Sequence, residues 1–258
     1  VERFIIEGGH RLSGSIVPAG NKNAALPLIA ATLLTTQGIV LRNIPQIGDV
    51  VNKIALLKKL GAQIQSVGEH AWSFRAADIG QAQPDITLSR KIRTSILLAG
   101  PLLARRGSVI LPRPGGDAIG RRRLDTHFQA LRELGASIEI TPSTYILQAD
   151  RLRGADILLD EMSVTGTEQA VMAAVLAEGT TVISNAASEP HVQDLCHFLV
   201  VLGAKIDGIG TNRLIIDGVS SLQGGEYTIG PDFMEVGSFI GLAAVTKSAI
   251  RIVGARPE

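Results

Sequence analysis

Residues 113–125, RPGGDAIGRRRLD, bring three glycines, two aspartates and four arginines into one short stretch. A guanidinium is permanently charged and forked, the geometry that grips phosphate or carboxylate. Glycine reaches backbone angles closed to other residues, at an entropic cost when it is ordered. The stretch reads either as a mobile lid that orders on an anionic ligand or as a solvated charge run. Three further places carry polar groups at one common offset, sixteen residues before a recurring glycine: Lys22 in AGNKNAALP, Lys91 in LSRKIRTSI and Ser163 in MSVTGTEQA. Each lies where a strand hands over to a helix, and a helix N-terminus already favours anions. Lys22 opposes that dipole unless an anion is present. Arg90, Lys91 and Arg93 add charge at the second place. Ser163, Thr165 and Thr167 add hydroxyls at the third, where each can equally be a helix cap. Asp125 and His127, in LDTH, read as a proton-transfer pair or, for Asp125, as a helix N-cap.

The elements that must position these residues are set by internal repetition. LLKKLGAQIQ (56–65), ALRELGASIE (130–139) and FLVVLGAKID (198–207) share one pattern of amphipathic helix, terminal glycine and strand. Upstream of each, PLIAATLLTTQGIVL, ILLAGPLLARRGSVIL and AVMAAVLAEGTTVI repeat an Ala/Leu helix, a glycine and a β-branched strand. Each unit therefore predicts strand, helix, strand, helix, strand, strand. Three units span roughly 15–224. A fourth is expected to begin near Gly225 and to stop at Glu258, with Lys-Ser in FIGLAAVTKSAIRIV where the others have glycine. Such a chain looks cut short and should leave apolar surface unpaired. From the glycine ending the first helix to that ending the second is 23 residues in unit one, 24 in unit three and 28 in unit two. The surplus falls on RPGGDAIGRRR, which the repeat itself does not require, and surplus of this kind usually carries function.

Composition narrows the class. Hydrophobic residues make up 45% of the 258 and aromatics only 3%, so the core must be Ile, Val, Leu and Ala. A net charge of +1 gives no support to a nucleic-acid partner. No apolar run approaches the ~18 residues of a membrane span. No basic-then-apolar leader opens the chain, so a cytoplasmic location is expected. The single cysteine, Cys196, excludes an internal disulfide framework, fits a reducing compartment, and reads as a buried small apolar residue. His191 and His197 lack a partner cluster and are expected on the surface. No Cys/His grouping stands at zinc spacing, and GGEYTIGPD carries no dinucleotide fingerprint, so neither a metal nor a nucleotide cofactor is expected.

Taken in order along the whole chain, GNKNAALP, IRTSILLAGPLLAR, PGGDAIGRRRLDTHFQALRELGA, SVTGTEQAVMAAVLAEGTTVISNAASEP and GPDFMEVGSF resemble the UDP-N-acetylglucosamine enolpyruvyl transferases of the EPSP synthase superfamily. The resemblance implies an inside-out α/β barrel of βαβαββ repeats, in which two three-unit domains close over the substrates. Residues 21–228, with the catalytic loop 113–123, would form one such domain. Residues 1–20 and 229–258 would be fragments of the second. The implied reaction moves the enolpyruvyl group of phosphoenolpyruvate to the 3-hydroxyl of UDP-N-acetylglucosamine and releases phosphate, the first committed step of peptidoglycan synthesis. By position, Lys22 and Arg122 match residues that hold phosphoenolpyruvate, Asn23 lies in the same motif, and Arg93 matches an arginine of the second basic loop. Arg122, Arg123, Leu124, Asp125 and Thr126, with Ser163 and Val164, match the segments that hold the uridine diphosphate. Asp117 takes the place of a cysteine that protonates the methylene carbon, which predicts resistance to the thiol-directed epoxide fosfomycin. Arg123, Glu161 and Phe233 depart from residues common at their positions. The implied reaction needs no cofactor. The alternatives are a 5-enolpyruvylshikimate-3-phosphate synthase-like enzyme and a ligand-binding piece without turnover.

Overall fold

The structure, a computed structural model, describes residues 3–80, 83–116, 120 and 122–255. Asp117 lies outside the described residues. The first repeat comprises α1 (Lys22–Ala31), β2 (Gly38–Arg42), α2 (Gly48–Lys59), β3 (Gln63–Gly68) and β4 (Ala71–Arg75), after β1 (Ser13–Ile16). The second comprises α3 (Ile86–Ser89), a 3-10 turn over Arg93–Leu98, α4 (Ala99–Arg106), β5 (Ser108–Pro112), α5 (Asp125–Glu133), β6 (Ser137–Ile140) and β7 (Thr144–Gln148). The third comprises β8 (Asp156–Leu158), α6 (Val164–Ala174), β9 (Thr180–Ser184), α7 (Pro190–Val201), β10 (Lys205–Asp207) and β11 (Arg213–Asp217). Then follow β12 (Gly225–Thr228), α8 (Phe233–Val245) and β13 (Ala249–Ile252).

The repeating glycines stop helices for the reason the pattern implies. Gly61, Gly107, Gly135 and Gly203 follow their helix ends and take φ between 70° and 105°, the left-handed region that a Cβ disfavours, whereas Gly179, at φ 91°, stands just before β9, well after α6 has ended at Ala174. Lys247 adopts φ 50° at the place where Lys-Ser replaces glycine. Gly38 differs: α1 runs into a 3-10 turn over Thr32–Leu34, and Gly38 simply opens β2.

Two sheets share one pattern. In β12-β2-β4-β3 and in β8-β9-β11-β10 the first pair is parallel and the rest antiparallel. β12, which the sequence assigns to the opening of a fourth unit, therefore completes the sheet of the first. β1, expected to open the first unit, pairs instead with β13. Among the described residues the second repeat's sheet, β5-β7-β6, has no such parallel strand. A strand is expected there, but the Asp85 carboxylate accepts from the Leu88 amide at 2.8 Å and starts helix α3 instead.

α1, the 3-10 turn with α4, and α6 are the Ala/Leu helices of the three repeats, and they lie at the centre. Ala24–Ala31 of α1 and Gly166–Ala174 of α6 are buried throughout, as helices apolar on all sides must be. The sheets wrap them with alternating faces: Ile39 and Leu41 of β2 point inward, as do Leu214 and Ile216 of β11. Small side chains let these helices approach closely, which explains a core with so few aromatics. Cys196 is buried in α7, as expected. α8 lies apart from this core. None of its residues is buried, although it carries Met234, Ile240, Leu242 and Val245. Among the described residues no helix is long and apolar enough to cross a membrane, and no group of three or more His, Cys, Asp and Glu could hold a metal ion.

Candidate functional site

The helix starts carry the polar groups. Asn21 caps α1, its side chain accepting from the Ala24 amide at 3.1 Å, and exposed Lys22 and Asn23 follow. The charge that Lys22 needs at a helix N-terminus comes from Asp49 in the first turn of α2, 3.4 Å from its Nζ. Both partners are about half exposed, so the pair is weak and Lys22 is accessible to a competing anion.

The insertion is seated on the second basic segment. The amides of Gly115 and Gly116 donate to the carbonyls of Ser89 and Arg90, at 3.4 and 3.3 Å. The glycines serve close approach here: a Cβ on Gly115 would stand 1.6 Å from the Arg90 oxygen, and Gly116 has φ 93°. Further along, Arg93 Nη2 donates to the carbonyls of Arg122 and Arg123, each at 2.9 Å. Arg93, Arg113, Arg122, Arg123, Asp125 and Tyr145 line a cavity of about 390 Å³. Burial, and then the neighbouring Arg122 charge, push the Arg93 guanidinium below its ordinary value. Crowded cations of this kind are what an anionic ligand relieves.

The α5 start lines the cavity, and α6 packs against α5. Arg123 pairs with Asp125 at 2.8 Å and Asp160 at 3.3 Å. The Thr126 hydroxyl bonds to Asp160 at 2.7 Å and Glu161 at 3.2 Å. Ser163 is the N-cap of α6, accepting from the Gly166 amide at 3.2 Å, with Val164 the first helical residue. Thr167 is buried and structural, bonded to the Ser163 carbonyl and the Ala187 amide. Asp125 is not a cap: Leu124 holds that position, and Asp125 is the first residue of α5. Nor does it pair with His127, whose Nε2 lies 3.0 Å from the Thr165 hydroxyl. His191 is buried and stacked on Phe233 at 5.9 Å rather than on the surface, while His197 is exposed.

His127 predicts an acid sensitivity. Burial first, and the Arg93 charge second, push its imidazole down to about 3. In the unfolded chain it titrates near its ordinary value of about 6.5. As pH falls below that value, the unfolded chain takes up a proton that the folded chain refuses, so stability is lost toward the folded value. The slope is at most about 1.4 kcal/mol per pH unit. His127→Gln should flatten this slope, read as the shift in urea midpoint between about pH 7 and about pH 4.5. Equal shifts in variant and parent would reject it.

The structure thus gathers Arg93, Arg122, Arg123, Leu124 and Asp125 around one cavity, with Thr126, Ser163 and Val164 on the adjoining helix starts. Lys22 and Asn23 do not line it. Sequence reasoning passed over Asp49, Tyr145 and Asp160. For Asp49 a signal existed, since a lysine at a helix start demands a nearby negative charge.

Comparison with known proteins places the chain in a family. The EPSP synthase (3-phosphoshikimate 1-carboxyvinyltransferase) family profile matches residues 6–258. A UDP-N-acetylglucosamine 1-carboxyvinyltransferase of Treponema denticola is 53% identical over 258 residues, covering 100% of this chain and 60% of the relative. The protein of that name from Bradyrhizobium diazoefficiens is 56% identical over 256 residues, covering 99% of this chain and 59% of the relative. The chain therefore spans about 60% of the length of these relatives. Among solved structures, the enolpyruvyl transferase NikO from Streptomyces tendae superposes with a TM-score of 0.80 at 23% identity, covering 91% of this chain and 56% of that one. An EPSP synthase from Acinetobacter baumannii does so with 0.78 at 19%, covering 98% and 58%. These likenesses establish an α/β EPSP synthase-like fold, and with the profile match over nearly its whole length the chain belongs to the EPSP synthase family.

Proposed function

We propose that this chain is part of a cytoplasmic enolpyruvyl transferase that joins phosphoenolpyruvate to the 3-hydroxyl of UDP-N-acetylglucosamine for peptidoglycan synthesis. In this reaction the sugar oxygen bonds to C2 of the enol, and the C2–O bond to phosphate breaks. Both substrates are polyanions. The observation that carries the reading is the Arg93 guanidinium bridging the Arg122 and Arg123 carbonyls beside a cavity lined by four arginines. Identity above half to two proteins of that name, along the same residues, supports the choice of acceptor.

In this reading Lys22 and Arg122 hold phosphoenolpyruvate with Asn23 beside them. Arg123 to Thr126, Ser163 and Val164 hold the uridine diphosphate. Asp117 gives a proton to the methylene carbon, the resulting methyl group loses a proton again as the C2–O bond to phosphate breaks, and the proton of the 3-hydroxyl leaves with the phosphate. Arg123 is paired with Asp125 and Asp160, and Glu161 stands near it. Residues 21–228 form a three-repeat, inside-out barrel domain. Residues 1–20 and 229–258, with the apolar face of α8, belong to a second.

Phosphate release measured in parallel with UDP-N-acetylglucosamine and with shikimate 3-phosphate tests the assignment. Release with the UDP-sugar is expected, and turnover of shikimate 3-phosphate alone would overturn it. Absence of turnover with either acceptor, alongside tight UDP-sugar binding, would favour a binding piece. Lys22→Ala should weaken phosphoenolpyruvate binding by about 1.5–3 kcal/mol through loss of a charge-assisted contact. Calorimetric titration reads this directly, and unchanged binding would make Lys22 a surface charge.

A further inference from the structure

Lys53 of α2 is an anomaly in this core. Its side chain is fully buried, and burying an ammonium costs several kcal/mol unless it is well partnered. A methionine would fill the same space without that cost. The groups that act on it come from the other two repeats. Nζ donates to the Thr94 carbonyl at 2.7 Å, and the opposing charge is Glu168 of α6, which is itself buried. The hydrogen bond joins the first repeat to the second, while Glu168 of the third makes no ion pair with Lys53 and its Oε1 is buried without a hydrogen-bond partner. Burial pushes Lys53 down to about 7 and Glu168 up, each charge working against the other's shift.

Thr94 directly follows Arg93, whose guanidinium bridges the Arg122 and Arg123 carbonyls. A few residues before it, the Ser89 and Arg90 carbonyls receive the Gly115 and Gly116 amides. Segment 89–95 is therefore the seat for both ends of the arginine-rich insertion. On the core side it is held by Lys53, and by the Ser95 hydroxyl donating to the Ser89 and Ile92 carbonyls at 3.0 Å. Buried charges are retained in some proteins for the specificity of arrangement they impose rather than for stability. Here the arrangement is that of the anion site.

We propose that Lys53 is a positioning residue for the anion site: it anchors the Thr94 carbonyl and so sets Arg93 and the seat of the insertion. The role in substrate binding rests on the proposed function; the anchoring does not.

Lys53→Met, and the double variant Lys53→Met/Glu168→Gln that also removes the unopposed acid, separate positioning from bulk stability. Hydrogen exchange on the 258-residue chain reads the amides of Gly115 and Gly116, which donate to the seat. In both variants these amides should exchange about tenfold faster, while amides of β5 and α6 keep parental rates. Glu168→Gln alone should leave Gly115 and Gly116 nearly as protected as in the parent. UDP-N-acetylglucosamine affinity, by calorimetry, should fall about tenfold in the double variant. Unchanged exchange at Gly115 and Gly116 would overturn the proposal. A uniform rise along the chain would do so too, by making Lys53 a general stabiliser. If the parent failed to bind the UDP-sugar, the functional reading would fall while the exchange result still decided the anchoring.

Discussion

Asp117→Asn is expected to abolish phosphate release by the enzyme while leaving UDP-N-acetylglucosamine affinity unchanged. In the proposed reaction the enol methylene carbon must receive a proton, and an amide cannot supply one at neutral pH. An aspartic acid can, where desolvation raises its value toward the working pH. Asp117 lies outside the described residues, and its role rests on its place in the insertion and on the family likeness. Asp117→Cys supplies a second result: it should retain turnover and become sensitive to fosfomycin, an epoxide that alkylates thiolates. Within these 258 residues the one other thiol is that of Cys196. That thiol is buried, and burial pushes it up to about 12, so it offers almost no thiolate. An Asn variant turning over at the parental rate would sink the role of Asp117. So would rapid inactivation of the parent.

Arg93→Met should lower UDP-N-acetylglucosamine affinity by about 2–3 kcal/mol, roughly 30- to 150-fold. The variant loses two charge-assisted bonds, to the carbonyls of Arg122 and Arg123, as well as a cation beside the cavity. The upper part of the usual range for two such bonds is not expected, because Arg93 is only half-buried. Arg93→Lys should recover part of the loss, since an ammonium restores charge but cannot bridge two carbonyls from one planar fork. Calorimetric titration of the three proteins gives the comparison. Affinity of Arg93→Met within about twofold of the parent would mean that the clamp does not shape the binding site.

What the sequence by itself determined was local. Helix, glycine stop and strand were legible in LLKKLGAQIQ, ALRELGASIE and FLVVLGAKID, because periodicity and left-handed glycines act on neighbouring backbone. Gly61, Gly135 and Gly203 stop their helices as the pattern predicts, and Cys196 is buried as its helix position requires. The extra residues of the insertion also stood out against the repeat. What only the tertiary structure decided were partnerships between residues far apart in the chain. β12 joins β2 across the whole core, and Asp49 answers Lys22. Asp160 reaches Arg123, and Lys53 reaches Thr94 from another repeat. Local propensity is indifferent to each of these pairings. They arise because closing three similar units around their apolar helices brings particular charged ends together, and a buried ammonium or carbonyl must take the partner that closure delivers.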